Sequence, residues 1–393
     1  MNRTKNLSMA LSLGLLAALG GAALAQGVDD PRVRAVEFPN QDDDFTARLA
    51  FSDDGSTIVI QQNEFVDQRI LVHRDGVWEL VLDYSQMDRH GVPEINGISA
   101  DGSVFAITDA TGSFVSRDGV ISEVPDVWVD DSGQVVLDGN VHVRSVSSDG
   151  QTLGLSGSSD SVPGTDALIW NNAQGMMNLN IGFTGDEAGH QILAMSGDGS
   201  VIAGSSSFYA PMNNIRYHLS FHESWVVSAK GMQIIPNLDP GYDVFTRVMG
   251  MSNDGQVVVG ISGGRWRNEQ PLTGAFGGVS IDFGPVLSWI WTPELGTEQI
   301  VGPKGYTQII ALDVSGDGQT IFGVSDGAGD SGRFLWTRKG GFVSVEDLLA
   351  KRGIETDLVF QAISLSDNGN LLMGWGNNYD TDQRFVVIID ISE

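Results

Sequence analysis

Residues 193–206 read LAMSGDGSVIAGSS, and the fold depends on whether this serine, aspartate and glycine cluster is an active site or a turn. Recurrence decides it. Aligned on the turn glycine, the phrase returns as LAFSDDGSTIVI (Gly55), NGISADGSVFAI (Gly102), RSVSSDGQTLGL (Gly150), MGMSNDGQVVVG (Gly255), LDVSGDGQTIFG (Gly318) and SLSDNGNLLMG (Gly369). With Gly199 that makes seven copies, spaced by 47, 48, 49, 56, 63 and 51 residues. Such periods belong to propellers or solenoids.

The aligned columns have physical meaning. Three residues before the glycine stands serine in every copy: Ser52, Ser99, Ser147, Ser196, Ser252, Ser315 and Ser366. One before it stands Asp54, Asp101, Asp149, Asp198, Asp254, Asp317 or Asn368. Asp-Gly supplies the positive φ angles of a tight hairpin turn, and a nearby hydroxyl can bond the turn backbone. Four before the glycine is always apolar, and the third residue after it is apolar again, the alternation of strand, turn and strand. One active site does not need seven copies, so the serine and aspartate are read as parts of the turn. Calcium binding by the aspartates is the competing reading, since oxygen ligands suit that ion, but the phrase lacks the ligand density of an EF-hand loop.

A second glycine-centred hairpin follows in most copies, for example ILVHRDGVWELVL and FLWTRKGGFVSV. Two hairpins make a four-stranded unit of blade size. A sheet that is apolar on both faces must pack against neighbours around an axis. The last unit supplies only three strands, and VRAVEF (Val33 to Phe38) is available to complete it. The expected fold is all-β: a seven-bladed β-propeller of four-stranded antiparallel blades, the last blade closed by the N-terminal strand. WVDDSGQVVLDG around Gly133 lies only 17 residues before Gly150. That is room for an added hairpin, and eight blades are the lesser reading.

These units resemble the bacterial extracellular HAF repeat, in which an aromatic strand ending in tryptophan leads through a glycine turn to S-x-D-G-x-x-x-x-G. The matching residues are Asp166 to Trp170 with Gly175-Met176, and Arg333 to Trp336 with Gly341. VSVEDLLAKRG is similar to that family's short closing helix, with Ser344 and Asp347 as its cap and Gly353 as its stop. LAFSDDGSTIVI is similar instead to the WD40-like repeats of TolB-type propellers. The HAF resemblance implies a secreted repeat protein and carries no catalytic residues.

Residues 1–25 have the plan of a secretory signal, with Arg3 and Lys5, the apolar run Leu7 to Leu19, and Ala23-Leu24-Ala25 before the expected mature start at Gln26. Residues 26–393 are expected to form a single domain. The chain has 50 acidic and 22 basic residues, a formal net charge of −28. That field excludes nucleic acid as a partner and favours solubility, cations or basic partners. With no cysteine, stability must come from packing. No later apolar run is long enough to span a bilayer, and a monomeric periplasmic or extracellular protein is expected.

Function in a repeat protein is sought where the repeat breaks. In four-stranded blades the first and third turns share one rim, and the second connection lies on the other. That second connection is long twice, with 21 residues between Gly204 and Val226 and 30 between Gly260 and Trp291, against 12 between Gly323 and Trp336. The two long segments are read as loops of blades four and five. They gather Phe208, Tyr209, Arg216, Tyr217, His218, His222, Arg265, Trp266 and Arg267. Arginine and aromatics in so acidic a chain suit a glycan or protein ligand; the same residues would equally serve to pin the loops down. His218 and His222 have helical metal-ligand spacing, but on a strand they would stand about 13 Å apart, so no metal and no cofactor is expected. Asp313 breaks an otherwise small column and is read as a hydrogen-bonded structural carboxylate before a cation contact. The sequence supports a binding or interaction module, with a polysaccharide lyase or hydrolase on the same rim as the alternative.

Overall fold

The computed structural model describes residues 30–392, with 40–45, 64–67, 85–92, 110–111, 126, 130–134, 139–140, 160–161, 172, 180, 182–188, 213–214, 239–244, 264–285, 328–329 and 382 outside the description. Four-stranded antiparallel blades follow one another along the chain. Blade 1 comprises Thr46–Phe51, Ile58–Asn63, Gln68–Arg74 and Val77–Asp83. Blade 2 comprises Glu94–Ile98, Val104–Asp109, Gly112–Arg117 and Val120–Glu123. Blade 3 (Val141–Val146, Thr152–Ser159, Val162–Asn171, Gly175–Asn178) and blade 4 (Gly189–Met195, Ile202–Met212, Ile215–Ser228, Gly231–Ile235) touch through a parallel bridge, Thr165 to Gly189. Blade 5 is Phe245–Met251, Val258–Gly263, Leu287–Thr292 and Gly296–Gln299; blade 6 is Tyr306–Val314, Thr320–Gly327, Asp330–Thr337 and Gly341–Ser344.

Blade 7 takes three strands from the end of the chain, Val359–Leu365, Leu371–Asn378 and Gln383–Asp390, and its outermost strand, Val33–Glu37, from the beginning. Val33 pairs with Ile389 and Glu37 with Phe385, antiparallel. The closure expected from the missing fourth strand is therefore the one found. Val127–Val129 and Val135–Asp138 form a separate two-stranded hairpin, so the weak turn at Gly133 adds a hairpin and not an eighth blade.

The core is a set of blade interfaces. Val59, Ile70 and Val72 of blade 1 meet Phe105 and Ile107 of blade 2; Ala203 and Val226 of blade 4 meet Val248, Val258 and Trp289 of blade 5. At the seam, Met373, Val386 and Ile388 of blade 7 meet Ile58, Ile60 and Leu71 of blade 1. Seven such apolar clusters correspond to seven pairs of neighbours, which is the count that only a closed ring requires. No sheet could bury both faces alone.

The recurring phrase is the joint between blades. Each of its serines is at most 1% exposed, so a lone hydroxyl there would be costly. Ser52 Oγ donates to Asp54 Oδ1 at 2.8 Å and accepts from Thr57 N at 2.8 Å, while Asp54 Oδ1 also accepts from Ser56 N. The same three bonds recur around Ser252, Asp254, Gln256 and Val257, and around the Asn368 copy. Only the glycine of this turn has positive φ, 65° to 72°. The Asp-Gly pairs with both residues in that region are those of the second hairpin, Asp75-Gly76 and Asp118-Gly119. The turn glycine is needed twice over: a Cβ on Gly255 would lie 2.6 Å from Val201 Cβ in the preceding blade.

After blade 6 the helix Val345–Lys351 begins at Ser344, whose side chain accepts from Asp347 N at 3.0 Å, and Gly353 follows it with a φ of 60°. It packs Val345 and Leu348 on the interface of blades 6 and 7.

Candidate functional site

The first strands of the blades contact one another around the axis, so they are innermost. Their turns form one rim, and the connections between second and third strands form the opposite one. The insertion in blade 4 is on this second rim, and it differs from expectation: the stretch read as a loop is a β-ladder. Ile202–Met212 pairs with Ile215–Ser228 in register from Ile202–Val227 to Met212–Ile215. Phe208, Tyr209, Arg216, Tyr217, His218 and His222 all fall on its two strands, with Phe208 opposite Phe221 and Ser207 opposite His222. His218 and His222 stand four apart on one strand, so the helical metal spacing does not arise. Among the described residues no group of three or more metal-ligating side chains is placed to share an ion. Arg265, Trp266 and Arg267 lie outside the described residues, within the blade 5 segment between Gly263 and Leu287. Both insertions join second to third strands and leave from the same rim.

The hairpin stands on a bonded base. Trp225 Nε1 donates to Ser206 Oγ at 2.9 Å, and that hydroxyl is 2.7 Å from His190 Nδ1. Ser205, Ser224 and Thr246 form a hydroxyl chain toward blade 5, where Val248 N donates to Ser205 Oγ. Blade 5 repeats the tryptophan and serine as Trp289 and Ser262, both at most 1% exposed, but Trp289 Nε1 and Ser262 Oγ have no partner among the described residues.

At the seam, the same rim carries a cavity of ≈ 240 Å³ walled by Phe38, Gln361, Trp375, Asn377 and Arg384. Gln361 and Trp375 are register partners, and Trp375 Nε1 donates to Gln361 Oε1 at 3.0 Å. Asn377 pairs with Arg384 on the next strand, and Phe38 N bonds Arg384 O. None of these residues was singled out by the repeat, because three of the strands involved carry ordinary blade sequence and the fourth comes from the far end of the chain.

The turn rim is closed at its centre. The residue between serine and aspartate, or in the third phrase Asp149 itself, links to the next blade through the backbone: Asp53 N to Ala100 O, Ala100 N to Ser148 O, Asp149 N to Gly197 O, Gly197 N to Asn253 O, Asn253 N to Gly316 O and Gly316 N to Asp367 O, at 2.6 to 3.0 Å. Asp367 N completes the circle by donating to the Asp53 carboxylate. Across the axis, Asn253 Nδ2 and Ser148 Oγ both donate to Asp367 Oδ2, at 2.8 and 3.2 Å. A cavity of ≈ 130 Å³ beneath this plug includes Asp53, Asp313, Ser364 and Asp367 in its wall. Burial, and then the nearby Asp367 charge, pushes Asp313 up to about 7, although Val314 N and Leu365 N donate to it. Its partners make it the structural carboxylate expected, spanning blades 6 and 7. Burial followed by Asp367 also raises Asp53. Out on the rim the turn carboxylates go the other way: bonds from Ser99 Oγ and Ser103 N hold Asp101 low.

The fold and the two rims define a closed β-propeller. Its solved relatives by shape include an oligogalacturonate lyase in complex with manganese, at 12% identity and a TM-score of 0.51, covering 95% of this chain and 96% of that one. An oligogalacturonate lyase from Vibrio parahaemolyticus aligns at 10% identity and a TM-score of 0.51, covering 95% and 99%. TolB from Acinetobacter baumannii aligns at 12% identity and a TM-score of 0.38, covering 89% and 79%. At these identities the likeness is one of fold alone. No family model matches the chain, and no curated protein matches it in sequence.

Proposed function

We propose that this protein is an exported propeller that binds glycans on the insertion rim, using the blade 4 hairpin and the neighbouring blade 5 segment as its contact surface. The observation that supports this is the hairpin itself. Its third strand runs for 14 residues, against 6 in blades 2 and 5. The residues assigned to binding are Phe208, Tyr209, Arg216, Tyr217, His218, His222, Arg265, Trp266 and Arg267, combining rings that stack on sugars with guanidinium groups that hold an anion. Residues 1–25 act as the export signal, and N-terminal sequencing of the protein recovered outside the cytoplasm is expected to start at Gln26.

The test is a glycan screen on the purified mature protein that records both retained sugar and released fragments. Retention without release is expected, and Arg265→Ala with Trp266→Ala should abolish it with little change in Tm. Release of cut sugars would make the protein an enzyme instead. A large loss of Tm in the double variant would mean that these residues hold the loop and not a ligand.

A further inference from the structure

We infer that His73 makes the closure of the ring sensitive to acid: protonation of its imidazole loosens the closing strand, Val33–Glu37, from blade 1. His73 lies near the end of the third strand of blade 1, two residues after Leu71, whose side chain belongs to the apolar cluster at the seam with blade 7. Its register partner is Ile58, three residues after the turn glycine Gly55. The same place is held by Trp170, Trp291 and Trp336 in blades 3, 5 and 6, by Val227 in blade 4, Ile389 in blade 7 and Ser116 in blade 2. A titratable ring therefore stands in a column that is uncharged elsewhere, and it does so at the joint where the two ends of the chain meet.

His73 is 8% exposed, and among the described residues neither Nδ1 nor Nε2 has a hydrogen-bond partner. Its ring packs against the Trp78 indole, with centroids 5.0 Å apart, and Trp78 Nε1 donates to Glu37 O of the closing strand at 3.0 Å. An imidazolium would bring a charge and two N–H donors to a place without an acceptor. The closing strand adds to this penalty: Arg34 lies on the same face of it as Val36 and Phe38 of the seam cluster, and its guanidinium donates to Gly55 O in the blade 1 turn. Burial, and then the Arg34 charge, hold His73 below its ordinary value. Asp54 of that turn acts on Arg34 and is not among the groups that shift His73. Trp78 and Ile58 from the neighbouring strands and Ile388 from blade 7 bring no charge, and the adjoining Arg74 reaches away to donate to Gly102 O of blade 2. In an opened chain the imidazole takes up its proton near pH 6.5, and in the closed ring only at lower pH. The closed form therefore has its full advantage above about 6.5 and loses it as pH falls from there toward the lower folded value.

Hydrogen exchange read by mass spectrometry on the mature protein at about pH 7.5 and about pH 5.5, corrected for the intrinsic exchange rate, tests this. Protection of a peptide covering residues 33–37 is expected to fall by up to about tenfold between the two, the ratio set by an open-state value of about 6.5. Peptides at the interface of blades 4 and 5 should change by less than about twofold, since that interface is remote from the closing strand. His73→Leu, which restores an apolar residue to the column, should give residues 33–37 the same protection at both pH values. An NMR titration of the imidazole C–H signals, with His73 assigned by its absence from the variant, should place its pKa below about 6.5, and Arg34→Met should move it upward. If His73→Leu fails to fold, His73→Gln takes its place in the exchange experiment, and the titration of the unaltered protein still decides. A His73 pKa at or above about 6.5, unchanged protection of residues 33–37 in acid, an equal fall between blades 4 and 5, or a fall that persists in the His73 variant would each overturn the proposal. No glycan enters these measurements, so their outcome is independent of the rim surface.

Discussion

The two rims are made from the same strands and obey opposite rules. On the turn rim the recurring polar groups are used by the fold: seven buried serines, their carboxylate or amide partners and the backbone of the central ring satisfy one another. On the insertion rim the connections share no sequence, and polar side chains such as the Gln361 amide and the Asn377 amide face a cavity. Repetition in a closed ring marks what the ring itself consumes, and departure from it marks what is left for contact.

The largest effect on this contrast is expected from removing the strand that joins the rims into a circle. Deleting residues 30–38 takes away Val33, Ala35, Val36 and Phe38, all buried in the two flanking interfaces, at about 1.5–3 kcal/mol for each large side chain. Loss of cooperative thermal unfolding is expected in circular dichroism; an unchanged melting curve would show that the ring does not depend on its closing strand. Next comes the joint itself. Gly102→Ala combines a φ of 71° with a Cβ that strikes Thr57 of blade 1, so about 2–5 kcal/mol should be lost in a urea titration. Gly175→Ala has a similar φ of 75° and nothing within 4 Å, and about 1–2 kcal/mol is expected. Equal costs would remove blade contact as the reason for the regular rim.

A smaller effect concerns the axis. In the fold Asp313 holds its proton up to about 7, whereas the unfolded chain releases it near the ordinary value of about 4. The folded state binds more protons in between, so this group's stabilising contribution is present at acid pH and is lost as pH rises through about 7. Asp313→Asn should therefore raise Tm at pH 8 and change it little at pH 5; the reverse order would contradict a buried carboxyl beside Asp367 and Asp53. The smallest change in stability is expected from joining Ser206 to Glu223 by a short Asn-Gly turn. The bonds of Ser205, Ser206, Ser224 and Trp225 remain, so ΔG should move by no more than about 0.5 kcal/mol while glycan retention disappears.

The sequence made the turn rim legible because each blade must repeat its own joint, so the serine, glycine and apolar columns stand out. The hairpin around Gly133 and the helix capped by Ser344 were legible as local needs met locally, and the fourth strand of blade 7 because the last unit supplies only three of its own. The blade 4 ladder was misread as a loop although IRYHLSFHES alternates polar and apolar residues, a strand signature obscured by its length and polarity. The central ring was missed because it uses the one column that varies, Asp53, Ala100, Ser148, Gly197, Asn253, Gly316 and Asp367, whose side chains meet only across the axis. The seam cavity was beyond reach for a related reason: Phe38 and Trp375 are 337 positions apart, and nothing local announces their meeting.

The strand Val33–Glu37 completes a sheet whose other members end at Asp390, and this sets the order of events in assembly. The earliest part of the blade to leave the ribosome or a translocation channel has no partner until almost all the rest has followed. Until then the ring has an open edge at each end, and the entropy of closing so long a loop has still to be overcome. A polypeptide cut short by even one strand at its tail would keep those edges bare, exposed to proteases and to other unfinished copies.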